Sequence, residues 1–440
     1  MVVLKGVVAE AAGATQTCAG QKGGIEASIH SMIHLWGELS TDCLLLIDAS
    51  NAFNRLRRAT ALWNIRFICP PLSIILINLY RRPARLFIMG GFEIKSQEGV
   101  TQGCPLAMAM YALGTLPFLN LLRPLLKRDP REWMPRPDLA DGEEDQSQGE
   151  MPVQVWYADD GQEGGTVKEV RTLWDRVQRF GPGFGYYPKP SKTILIVKAE
   201  KKEAAEASFK DSKVQITMQG NRDLGAFIGT RVATRDYLAG KIERWANQIN
   251  LLAKIAKTHP HAAHAGYVHG LRGKWVFMQR TMAVAAEMLN PLEKEINEKL
   301  IPAIFGLDSA VCKLDRDLFA LPGRHSGMGI DNPGKSAAHH LRASQILSNQ
   351  HVHLILNSQR ELKLDEEKQK ALKEQLKQEK EVALKAEYDR IYLATSRPMA
   401  KAMELAKEKG ASALVTTLPI ERHNLAFPRS RDFHDLLCLR

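Results

Sequence analysis

Cysteine is scarce: six residues in a chain of 440 (Cys18, Cys43, Cys69, Cys104, Cys312 and Cys438), no two at the CxxC spacing of a zinc site or redox motif. A disulfide framework is therefore not expected, and the setting read from this is reducing and intracellular, nuclear or cytoplasmic, not secreted. Long apolar runs are also missing. The most apolar stretch, Leu106 to Leu122, contains Thr115, Pro117 and Asn120 and is short for a bilayer span, so it reads as a buried core helix and no membrane partner is expected. The N-terminal MVVLKGVVAEAAGA carries Lys5 and Glu10 inside what would have to be a signal core, which argues against a signal peptide.

Positive charge is what the chain has in excess. Lys and Arg number 60 against 49 Asp and Glu, a formal charge of +11 that favours a polyanionic partner, nucleic acid first. Many soluble proteins are mildly basic, so charge alone leaves the partner open. The length allows two to four domains, each with its own core.

Along the chain, a Gly-containing turn at 19–24 precedes an amphipathic helix with Ile25, Ile29, Met32 and Ile33 near one face. Cys43 to Ile47 is an unbroken apolar run that suits a strand buried on both faces, and it ends at Asp48. Helices are expected over Ala49 to Ile65 and Leu72 to Tyr80, and Gly90-Gly91 marks a hairpin over Arg85 to Gln97. Residues 127–151, rich in Pro, Asp, Glu and Gly, read as an acidic surface insertion. Val153 to Tyr157 alternates as a strand and runs into the turn Ala158-Asp159-Asp160-Gly161. A helix over 168–180 follows, then strands at Thr193 to Val197, Val214 to Met218 and Ala226 to Ile228. This uneven alternation predicts an α+β sheet domain. Beyond about residue 235 helical patterns dominate, carrying Lys241, Arg244, Lys254, Lys257, Arg272, Lys274 and Arg280 as a basic lobe. From Gln359 to Arg390 the chain is charge-dense, with Glu366/Lys370 and Glu381/Lys385 at i,i+4 spacing, and reads as a solvated helix rather than a zipper.

Phosphoryl transfer from a nucleoside triphosphate calls for convergent carboxylates that hold two divalent ions about 3.5–4 Å apart. Asp48 at a buried strand end and Asp159-Asp160 at a hairpin tip would supply them. Each alone has an ordinary reading: an Asp before a helix is commonly an N-cap, and Asp-Asp-Gly is common hairpin chemistry. Their order and company separate the readings. LLLIDASNAFN (44–54), EGVTQGCPLAMAMYALG (98–114) and VWYADDG (155–161) resemble motifs A, B and C of reverse transcriptases, in that family's order. GFGYYPKPSKTILIV (183–197) is similar to motif D and DLGAFIG (223–229) to the short segment after it, with the non-LTR retrotransposon branch the nearest in kind.

The resemblance, which spans roughly residues 15–230, implies a right-hand polymerase: a ferredoxin-like palm sheet over 41–230, partial fingers over 1–40, a basic helical thumb over 231–350 and a charged helical extension over 351–440. It implies RNA-templated DNA synthesis from deoxynucleoside triphosphates on an RNA template and a DNA primer, with two Mg²⁺ or Mn²⁺ ions. Asp48, Asp159 and Asp160 would be catalytic and, with the Ala49 carbonyl, metal-binding. Phe53 would exclude a ribose 2′-hydroxyl, Gln102 and Gly103 would line the nucleotide at the motif B turn that Pro105 follows, and Lys192 would approach the triphosphate. Lys241, Arg244, Lys254, Lys257, Lys274 and Arg280 would contact the template–primer duplex. Fewer than fifty residues precede Asp48, so the fingers read as truncated, and no Cys/His-rich cluster supports a nicking activity. Two alternatives stay open: a retroelement remnant that only binds nucleic acid, and an RNA-dependent RNA polymerase, against which Tyr157-Ala158 and Phe53 argue.

Overall fold

The computed structural model describes residues 4–101, 103–123, 151–408, 410–411 and 413–416. It is a mixed α+β chain that divides into two compact units, one formed by residues 1–231 with 348–364, the other by 232–347 with 365–440. The expected acidic insertion falls almost wholly outside the described residues, as does Gln102.

The first unit is organised by a five-stranded mixed sheet. Taking strands in chain order, β1 is Cys43–Ile47, β2 Ala84–Ile88, β3 Phe92–Ser96, β4 Val153–Tyr157, β5 Asp160–Gly165, β6 Ile194–Val197, β7 Gln215–Thr217, β8 Gly220–Asp223 and β9 Ala226–Gly229. The sheet runs β4-β5-β1-β6-β7, antiparallel except for the β6–β7 pair, while β2–β3 and β8–β9 form separate hairpins. All five residues of β1 are buried. Its odd-numbered side chains Cys43, Leu45 and Ile47 enter a core with Trp156, Val170, Leu173 and Trp174. Leu44 and Leu46 enter a second core with Met32, Val155, Ile196 and Ile355 on the opposite face. An apolar strand covered on both faces is what an unbroken hydrophobic run requires. The helix Val167–Phe184 buries Val167, Val170, Leu173, Trp174 and Val177, spaced by three and four residues, and Thr166 with Glu169 closes a reciprocal capping box at its start.

Several expected elements are corrected. The helix expected over Ala49 to Ile65 is two, Ala52–Arg55 and Arg58–Ile68. The break at Leu56 and Arg57 lets Arg58 turn inward, where it is only 4% exposed. Its guanidinium donates to the carbonyls of Ser96 at 2.9 Å, Glu98 at 2.9 Å and Gly99 at 3.0 Å. The stretch Leu106 to Leu122 also divides, into Ala107–Gly114 and Leu116–Leu121. Asp160 and Gly161, expected within the turn, instead begin the strand Asp160–Gly165, held by ladders to β4 on one side and β1 on the other. Ala226–Gly229 pairs with the unanticipated β8 and not with the main sheet.

The second unit is helical. Its longest early helix, Arg231–Ala256, buries Leu238, Ile242, Trp245, Ile249, Ala253 and Ala256 as one stripe. Trp245 and Tyr267 both pack on Trp275, with ring centroids 6.2 and 5.7 Å away. The charge-dense helix Glu366–Ala394 is anchored by Tyr388 and Ile391, which join Leu318, Leu321 and Met403 in a small core. Glu381 does not serve an i,i+4 pair with Lys385 there; it takes Arg324 at 2.7 Å and His325 at 2.6 Å. Among the described residues no helix is long and apolar enough to cross a membrane.

Candidate active site

Strand register brings the three aspartates to one end of the sheet. Ile47 of β1 pairs with Gly161 of β5, so the next step along both strands sets Asp48 alongside Asp160. Asp160 in turn pairs with Tyr157 across the β4–β5 hairpin, leaving Ala158 and Asp159 as the two turn residues. Neighbouring backbones in such a ladder lie about 4.5–5.5 Å apart, close enough for carboxylates to feel one another. Burial, opposed by its own backbone N–H and reinforced by the Asp48 charge, raises the Asp159 carboxyl above the usual carboxylate range. Asp160 meets solvent with part of its side chain, yet loss of water and then the charges of Asp159 and Asp48 push it up to about 6.

The turn is tightly held. Ala158 has φ 57, a left-handed conformation that costs an L-residue roughly 1–2 kcal/mol. Gln16 offsets the strain: Ala158 N–H donates to its Oε1 at 2.9 Å, and its Nε2 donates to the Ala158 carbonyl at 3.2 Å. The Tyr186 hydroxyl donates to the Asp159 carbonyl at 2.9 Å. Gly161 has no room for a side chain, since a Cβ there would sit 2.8 Å from the Trp156 ring. Gln16, Tyr186 and Arg58 are positioning residues that sequence reasoning missed; Gln16 lies 142 positions from the backbone it clamps.

After Asp48 the chain is pinned to the motif-D-like loop. Lys189 N–H donates to the Asp48 carbonyl at 2.8 Å, and Ser50 N–H donates to the Tyr187 carbonyl at 2.9 Å, with Ala49 bridged to Pro188 between them. The helix beyond is capped at Asn51, so Asp48 is not its N-cap. The same loop delivers Lys192, whose Nζ lies 3.3 Å from Asp48 Oδ2. The half-buried Phe53 stacks on Tyr111 with ring centroids 4.4 Å apart and planes 22° apart. Its carbonyl accepts the Val100 N–H at 2.8 Å, which fastens the motif-B-like turn beside it. Gly103 in that turn has φ 87, and among the described residues other than its chain neighbours nothing lies within 4 Å of where its Cβ would be. The left-handed backbone, not crowding by the protein itself, is what calls for glycine there.

The donors are all oxygen, which suits a hard divalent cation such as Mg²⁺. Their mutual repulsion is the electrostatic setting a cation relieves. Among the described residues, however, no three His, Cys, Asp or Glu side chains converge closely enough to enclose a metal ion. In this arrangement the positive charge beside Asp48 is the Lys192 ammonium.

In the second unit, Lys254 and Lys257 are exposed side by side at the end of the helix Arg231–Ala256. Arg244 donates to the Gly240 carbonyl at 2.9 Å, and the Lys241 ammonium lies 5.3 Å from the Tyr237 ring centroid. Lys274 and Arg280 are on the helix Arg272–Thr281, with Lys274 donating to Gln248 at 2.9 Å. The chain matches no family model and no curated protein.

Proposed function

We propose that the chain is a reverse transcriptase of the non-LTR retroelement kind, a template-directed polymerase that joins deoxynucleotides to a primer on an RNA strand. The observation that carries the reading is the β1–β5 register, which sets Asp48 next to the Asp159-Asp160 turn, within a sequence that orders motifs A to D as that family does. In this reading the first unit contributes the palm and the second a helical thumb.

Asp48, Asp159 and Asp160, with the Ala49 carbonyl, would hold two Mg²⁺ or Mn²⁺ ions. Bound there, such ions supply Lewis acidity to a primer 3′-hydroxyl and to a departing pyrophosphate. The chain's own residues do the rest. Gln16 and Tyr186 keep the hairpin turn from relaxing, so the backbone that carries Asp159 and Asp160 stays beside the end of β1. Lys192 leaves Asp48 when a nucleotide arrives and places its ammonium against the triphosphate, an exposed ion pair being weak enough to exchange. The Phe53 ring, backed by Tyr111, closes the space next to the sugar's 2′ position. Extension of a DNA primer on an RNA template by the full chain, in Mg²⁺ with deoxynucleoside triphosphates, tests the proposal. Duplex binding with no extension would instead favour a remnant that only binds nucleic acid.

Phe53→Ala raises ribonucleotide over deoxynucleotide incorporation by at least about tenfold in competition assays. Because the ring is half-buried and stacked, stability falls by about 1–3 kcal/mol, less than for a fully buried Phe. A drop in stability with an unchanged ratio would make Phe53 a core residue and not a sugar gate.

Replacing Lys254 and Lys257 by Gln flattens the salt dependence of binding to an RNA–DNA duplex. With about 0.9 counterions released per neutralised phosphate, the slope of log K against log salt falls by up to about two units, equally for all sequences. Parallel slopes for wild type and variant would remove this pair from the duplex interface.

A further inference from the structure

Between the helix Pro70–Tyr80 and the motif-B-like turn, the first unit puts out the β2–β3 hairpin as an arm. Its root is fastened beside Phe53: Gly99 N–H donates to the Leu56 carbonyl at 2.9 Å, Val100 N–H donates to the Phe53 carbonyl, and the Arg58 guanidinium holds the carbonyls of Ser96, Glu98 and Gly99. Strands of five residues, at about 3.3 Å each, carry the Gly90-Gly91 turn roughly 17 Å from that root. Register sorts the side chains: Arg85 pairs with Lys95 and Phe87 with Glu93 on one face, Leu86 with Ile94 and Ile88 with Phe92 on the other. None of these side chains enters the cores around β1. Phe87 is 74% exposed, Phe92 72%, and Met89 at the tip 99%. From Arg81 to Gln97 the single acid is Glu93, set against Arg81, Arg82, Arg85 and Lys95, all exposed. Glu93 is taken by Arg85 at 2.6 Å, and the Arg85 guanidinium also lies 5.5 Å from the Phe87 ring centroid. Among the described residues no carboxylate pairs with Arg81, Arg82 or Lys95.

A two-stranded arm that leaves large apolar side chains in water is stabilised by whatever covers them. The excess of cations calls for a polyanion, and the flat ring beside them calls for one with stacking faces. Unpaired nucleic acid meets both demands, offering bases to rings and phosphates to cations, whereas a duplex keeps its base faces inside its own stack. We propose that the β2–β3 arm is a docking surface for single-stranded nucleic acid. Phe87 stacks on a base, and Arg85 and Lys95, beside it on the same face, take the neighbouring phosphates; Arg81 and Arg82 extend the basic track to the root. The Arg85–Glu93 pair is exposed and so weak enough to yield to a phosphate. The proposal stands apart from the polymerase reading, since it needs neither the aspartates nor a metal; under that reading, attachment of the root beside Phe53 makes the unpaired template the strand held.

The test is fluorescence anisotropy with the full chain in EDTA, so that nothing is copied. The probes are a labelled, unstructured RNA of about twelve nucleotides and the same RNA paired to its DNA complement. Phe87→Ala weakens single-strand binding about fivefold or more, the least that losing one base–aromatic stack costs, and leaves duplex binding within about twofold. Phe87→Trp, which keeps a flat ring, binds at least as tightly as the wild type, while Phe87→Leu, apolar but not flat, falls with Phe87→Ala. Melting temperatures stay at the wild-type value, because so exposed a ring contributes little packing. To locate the strand, RNA carrying 5-iodouridine is cross-linked by light, and the adduct falls in the tryptic peptide 86–95. Single-strand binding unchanged in Phe87→Ala, equal losses on strand and duplex, wild-type affinity in Phe87→Leu, or adducts confined to other peptides overturns the proposal. A wild-type dimer in sedimentation that Phe87→Ala abolishes while RNA binding stays intact overturns it in favour of a second copy on the arm.

Discussion

Asp159→Asn abolishes nucleotide addition, with a loss on the order of 10³-fold or more, while the variant melts no lower than the wild type. Asparagine keeps the side chain's volume but removes the charge, so the turn geometry set by Gln16 and Tyr186 is untouched. The wild-type carboxylate is held above its usual range by burial and by Asp48, so removing it relieves repulsion instead of breaking a favourable contact. Loss of an electrostatic group aimed at developing charge typically costs 10²–10³-fold, and more where it also holds a cation. The combination of lost activity with retained or raised stability distinguishes a site residue from a structural one. Duplex affinity measured on the same sample should stay within about twofold, because the proposed phosphate contacts belong to the helical unit. Wild-type extension by this variant would end the polymerase proposal, and coincident loss of fold and activity would recast Asp159 as a turn residue.

How far the sequence discloses this arrangement differs from element to element. β1 was readable because five consecutive apolar residues must be covered on both faces, and the hairpin after Val153 because alternation and a polar turn are local signals. β5 was not. DGQEGG has neither apolar content nor β-branching, and it is a strand only because β1 and β4 flank it with ladders. The break before Arg58 is likewise tertiary in origin, since the carbonyls that draw the guanidinium in belong to residues about forty positions later. For the candidate site, the carboxylates could be named from strand ends and turns, but the identity of Asp160 as Asp48's neighbour depends on which strand pairs with β1. Gln16 and Tyr186 carry no sequence signal of their own, because each acts on backbone and not on a recognisable side-chain partner.

Two buried acids, Glu163 on that sheet and Asp223 on the separate β8–β9 hairpin, lead to the second large effect. Asp223, at the end of β8, is 6% exposed with Oδ2 lacking a hydrogen-bond partner, and Glu163 of β5 is 0% exposed with both carboxylate oxygens in that state. Burial and then the Asp160 charge push Asp223 up to about 7; burial and then Asp223 push Glu163 well above the usual carboxylate range. A carboxyl whose proton is held more tightly in the folded than in the unfolded chain contributes stability that is complete below the unfolded value, 3.8 for Asp, and lost as pH rises through the folded one. For Asp223 the loss falls between about pH 4 and pH 7 and amounts to on the order of 4 kcal/mol. Asp223→Asn cannot ionise, so its unfolding free energy should exceed that of the wild type at pH 8, and the gap should shrink steadily toward pH 4. Taking the difference between the two denaturant curves at each pH cancels the many surface groups both share, including the acid-side repulsion of a chain with formal charge +11. A difference that stays flat across this window would mean that Asp223 ionises in the folded chain as easily as in the unfolded one. A difference that grows toward low pH would reverse the sign and make the carboxylate a favourable, partnered charge.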